Sequence, residues 1–103
     1  MPIYILMTRL GPDAMHDPRG RRAVGREWIK KVKKLSPEVR FLAHYAILGP
    51  YDFMDIYEAP DERVAHKVSL LSRSEGAATA ESWQALPYED YLPLVEAVEK
   101  VTG

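Results

Sequence analysis

The chain has 103 residues, a formal net charge of -1, 47% hydrophobic and 28% charged residues, and no cysteine. These figures describe one globular domain over residues 1–103 and exclude a disordered chain or a global pull toward nucleic acid or anionic membrane. They also exclude disulfides, thiolate nucleophiles and cysteine metal sites.

Pro2 to Thr8 is nearly all apolar and rich in Ile and Tyr, which predicts a strand buried on both faces. Gly11-Pro12-Asp13 breaks it. Asp17-Pro18 predicts a helix start, with Asp17 as N-cap. Val24, Trp28, Val32 and Leu35 then recur at helical spacing until Ser36-Pro37. Val39 to Leu48 and Asp52 to Ala59 predict two strands joined through Gly49-Pro50-Tyr51. Pro50 cannot adopt the positive φ of a two-residue primed turn, so a four-residue loop or a bulged turn is expected. Asp61 caps a second helix with Val64, Val68 and Leu71 as its stripe and Gly76 at its end. Ala77 to Leu86 predicts a fourth strand closed by Pro87. Leu94, Val95, Val98 and Val101 predict a short terminal helix, with Pro93 expected in or near its first turn.

The order is β-α-β-β-α-β-α. Right-handed crossovers and one hairpin give an α+β fold: a ferredoxin-like βαββαβ unit with a C-terminal helix, both main helices lying on one face of a four-stranded antiparallel sheet. The expected hairpin register places Tyr45, Ile47, Met54 and Ile56 under the helices. It leaves His44, Ala46, Leu48, Phe53, Asp55 and Tyr57 on the open face. Glu81 and Trp83, and Tyr4 and Leu6, can join that face by alternation, although pattern does not fix the phase of the first and fourth strands. So apolar a face exceeds what a monomer usually exposes. Covering ~500 Å² of it is worth roughly 12 kcal/mol before the cost of association. A homodimer or higher homo-oligomer is therefore expected.

Tyr4, His44, Asp55, Tyr57, Glu81 and Trp83 are the candidate ligand-lining residues. Aromatic rings supply contact and the ionisable groups supply orientation for a small organic ligand between sheets. A structural His-Asp-Tyr network is the competing reading, and proton abstraction by His44 or Asp55 in a cofactor-independent enzyme is a further one. No metal site or cofactor is called for: His16, His44 and His66 lack ligand spacing, and His44 as a haem ligand is outweighed by a carboxylate partner. Gly20 and Gly25 lack the context of a phosphate loop. Ser69, Ser72 and Ser74 read as helix-surface residues. The first helix carries Arg19, Arg21, Arg22, Arg26, Lys30, Lys31, Lys33 and Lys34. An interaction module using this basic helix against an acidic partner is the alternative to a solvated face. Without aromatic residues interleaved for base stacking, the solvated face is expected and nucleic acid is not. No apolar run approaches the roughly 20 residues of a membrane span. Met1 to Met7 lacks the basic leader of a secretion signal, so the expected address is cytoplasmic.

Met1-Pro2-x-Tyr4-Ile5, then Gly49-x-Tyr51-Asp52 with an apolar strand ending Glu58-Ala59-Pro60-Asp61, and Glu81 after the Gly76 break, together resemble the GYD domain family across most of the chain. Asp55 and the basic first helix depart from that pattern. The resemblance implies the dimeric α/β-barrel superfamily, ferredoxin-like subunits that pair sheet to sheet. It implies no settled reaction.

Overall fold

The computed structural model describes residues 1–103. The elements are β1 (Ile3–Leu10), α1 (Pro12–Met15), α2 (Arg21–Leu35), β2 (Arg40–Ala46), β3 (Phe53–Glu58), α3 (Glu62–Ser74), β4 (Ala77–Ala85) and α4 (Tyr88–Thr102). The strands form one sheet in the order β2-β3-β1-β4, with every pair antiparallel. This is the ferredoxin-like arrangement read from the sequence. No helix is long and apolar enough to cross a membrane.

The core joins α2 and α3 to one sheet face. Val32, Val64, Ala65 and Val68 pack against Tyr4, Leu6 and Tyr57, with Val39 and Ala59 closing its margin. The covered face is therefore the opposite of the expected one. Tyr4, Leu6, Asp55 and Tyr57 are buried beneath the helices. Tyr45, expected in the core, is 55% exposed, and Met54 and Ile56 share its side of the sheet with Ile5, as the cross-strand pairs require. His44 pairs with Asp55 and Ala46 with Phe53, two residues away from the expected register. A two-residue slip keeps every side chain on its face, so the companions within the hairpin were correct and the choice of covered side was inverted. Glu81 and Trp83, however, pair with Met7 and Ile5 and lie on the face opposite Tyr4 and Leu6. The cause is physical. Both faces are apolar, and the polar groups of the face expected to stay open find partners under the helices. The Tyr57 hydroxyl and Ser69 each share a 2.7 Å hydrogen bond with Ser82.

Local chemistry sets the element ends. The Asp61 side chain accepts from Val64 N–H at 3.0 Å, capping α3 as expected. Asp17 does not cap α2. Its carboxylate accepts from the backbone and guanidinium of Arg19, which hold it down at about pKa 2. The helix instead starts after Gly20, whose φ of 84° favours glycine. The extra turn α1 packs Ala14 against Gly76, where an added Cβ would sit 2.9 Å from the Cβ of Ala14. Ser69 and Ser72 are buried, not surface residues: Ser72 accepts from Trp28 Nε1 at 2.9 Å and donates to the Val68 carbonyl at 2.8 Å.

The terminal helix departs most from expectation. It begins at Tyr88, so Pro93 lies in its second turn. No residue of α4 is buried, so water can reach the Glu89 carbonyl that Pro93 leaves without a helical donor. The radius of gyration is 16.2 Å, against about 13 Å for a compact chain of this length.

Candidate functional site

Gly49-Pro50-Tyr51-Asp52 is a clasp. Ile47 N–H donates to the Asp52 carbonyl and Asp52 N–H to the Thr8 carbonyl, at 2.9 and 2.8 Å. The Asp52 carboxylate accepts from Leu10 N–H at 2.7 Å, tying the hairpin loop to the end of β1. Tyr51 meets Trp83 edge-on at 6.0 Å, its hydroxyl donates to Glu81 at 3.2 Å, and Arg9 lies 5.8 Å from its ring centroid. Trp83 Nε1 donates to the same carboxylate at 2.9 Å. Replacing Asp52 with alanine leaves Leu10 N–H without its charged acceptor. The expected cost is about 1–3 kcal/mol, read from urea unfolding, with Asp52→Asn losing less because an acceptor remains.

The six sequence-selected residues do not share one pocket. His44 and Asp55 line a cavity of about 350 Å³ between α2 and the covered sheet face. Tyr4 and Glu81 border a separate hollow of about 370 Å³ between α3 and β4. Tyr57 is fully enclosed in the core between them, and burial pushes its phenol up to about 12. Trp83 lies on the open face, 45% exposed. The cavity that His44 and Asp55 line thus lies between a helix and the sheet.

At the sheet side of that cavity, His44 Nδ1 donates to Asp55 Oδ1 and the His44 ring stacks on Phe53 at 5.5 Å. Asp55 is 3% exposed. Desolvation pushes its carboxyl above the usual range, opposed by the charge and hydrogen bond of His44. The helix side carries Arg21, Arg22 and Arg26, residues expected on a solvated face. None of the three is in an ion pair, whereas Arg19 is bound to Asp17 and Glu27, and Lys31 to Glu27 and Glu75. Arg21 lies 5.4 Å from the Phe53 ring centroid. No group of three His, Asp or Glu side chains comes together to hold a metal ion.

A helix-covered sheet with a clasped central hairpin and one bare face defines a ferredoxin-like α+β domain. The chain belongs to the GYD domain family, whose description matches residues 4–95. It is 29% identical over 96 residues to the glutamine synthetase and cystathionine beta-lyase binding protein of Thermus thermophilus, spanning 89% of this chain and 96% of that protein. The crystal structure of FFRP-DM1 aligns with a TM-score of 0.52 at 15% identity, covering 84% of this chain and all of that one. That likeness shows the fold.

Proposed function

We propose that the chain is a homo-oligomeric binding subunit that docks other proteins and holds a small organic ligand beneath α2. The observation that carries this is the bare sheet face, where Ile5, Met54 and Ile56 lie centrally and Tyr45 and Trp83 are about half exposed. Four strands at about 4.8 Å spacing and seven or so residues of length give a patch of roughly 19 by 23 Å. The apolar stripe of α4, with Tyr91, Leu94, Val98 and Val101 exposed, extends it by about 22 Å. Together they approach the ~800 Å² per partner of a standard interface. A second copy presents the same two surfaces, and an isologous pair covers both. The Thermus relative is named for binding two enzymes, which supports protein docking as the class of function for this chain. Sedimentation at micromolar concentration should give at least twice the 11.7 kDa chain mass. A single 11.7 kDa species would sink the proposal.

A further inference from the structure

The cavity under α2 has its own charge pattern. Arg21, Arg22 and Arg26 face a space whose two carboxylates are already engaged, Asp55 by His44 and Glu75 by Lys31. Three unpaired guanidinium groups beside two neutralised carboxylates leave an excess of positive charge. The first turn of α2 also opens there, and Gly20 offers no side chain to cap it. Uncapped N–H groups and the helix dipole favour an anion at the same end as the arginines. The walls are aromatic: Phe53 and Trp28, with the polar edge of Trp28 satisfied by Ser72.

Gly25 adds an independent observation. It sits inside α2 without positive φ, and a Cβ built on it meets nothing within 4 Å. Glycine inside a helix is destabilising relative to alanine, and no close approach here requires it. What it does is leave the cavity open, because Gly25 is part of the lining.

We propose that this cavity binds a small planar organic acid, an aryl or heteroaryl carboxylate carrying a hydrogen-bond donor at its far end. The carboxylate lies among Arg21, Arg22 and Arg26, the ring lies against Phe53 and Trp28, and the donor reaches the acceptor oxygens of Asp55. Guanidinium forks match a carboxylate in geometry as well as charge. The proposal rests on the ligand half of the function above and gives it a chemical class.

The test titrates the full chain with 4-hydroxybenzoate, and with benzoate and 4-hydroxybenzyl alcohol as analogues lacking the donor and the charge. Calorimetry should show saturable binding of 4-hydroxybenzoate, one per chain, at least tenfold tighter than the alcohol and tighter than benzoate. The Arg22→Gln/Arg26→Gln double variant should lose tenfold or more for the acid and little for the alcohol. Gly25→Leu should abolish binding while melting no lower than the parent, which separates cavity filling from misfolding. Equal affinity for acid and alcohol, unchanged by the arginine variants, overturns the acid class but leaves a ligand cavity standing. Undiminished binding to Gly25→Leu, or no binding of any of the three probes at millimolar concentration, overturns the cavity as a site and the ligand half of the function with it.

Discussion

An Ile56→Lys chain is expected to fold but to sediment as a single subunit, with association weakened by roughly a thousandfold or more. Ile56 lies on β3, one of the two central strands, between Ile5 and Ala43 on the bare face. In an isologous pair the lysine enters the interface twice. Burying an unpaired ammonium costs several kcal/mol even after relaxation. Two at about 2–3 kcal/mol each give roughly 4–6 kcal/mol, which reaches or passes the roughly 4.1 kcal/mol that corresponds to a thousandfold. In a single subunit the same lysine reaches water from a half-buried position, so circular dichroism should match the parent. A parent and a variant of equal mass would remove the sheet face as the site of pairing.

The topology was legible because each helix announces itself locally. Asp61 and Gly76 bracket α3, and Val24, Trp28 and Val32 mark α2, all without reference to the rest of the chain. The covered side of the sheet was not legible in the same way. It depends on which of two apolar surfaces the helices meet, a long-range fact that alternation along Phe53 to Glu58 does not contain. Polar residues misled for a definite reason. Ser82 bonds Ser69 and the Tyr57 hydroxyl across the helix-sheet boundary, and Ser72 accepts from Trp28 Nε1 between the two helices, whereas a sequence shows only that they are polar. Asp17-Pro18 failed as a helix start because Arg19 captures the Asp17 side chain locally, a competing turn chemistry.

The candidate site was half legible. His44 and Asp55 were correctly placed side by side, since residues of one hairpin that share a face stay together through an even slip in register. Arg21, Arg22 and Arg26 are exposed, as expected of a solvated face, but they also border the cavity beneath α2, which the helical pattern around Val24 does not reveal. Gly25 was the available signal: a glycine inside a helix, one residue from that stripe, with neither a turn nor a close contact to explain it. Tyr51 and Asp52 stand out in the sequence, but their clasp joins the loop to β1 and β4, and those partners emerge only from the three-dimensional fold.

The His44–Asp55 pair sets the second large expectation. His44→Ala should destabilise the fold by about 1–2 kcal/mol near pH 7 and by much less near pH 3.5. The figure is held below that of a fully buried pair because His44 is 60% exposed and its charge is screened. Asp55 has its pKa raised by burial in the folded chain. The native state therefore binds a proton more tightly than the unfolded one. Its contribution is fully present below the unfolded value of about 3.8 and is lost as pH rises through the folded value. Removing His44 deletes the group that opposes this shift, so the folded pKa climbs further and the loss above it grows. With Asp55 protonated the missing partner matters little, and the variant and parent curves converge. Asp55→Asn should flatten the dependence between about pH 4 and 7, since no carboxylate remains to be desolvated. Urea unfolding of the three chains across that range decides the matter: parallel curves for parent and Asp55→Asn would show that the pair does not control stability through ionisation of Asp55.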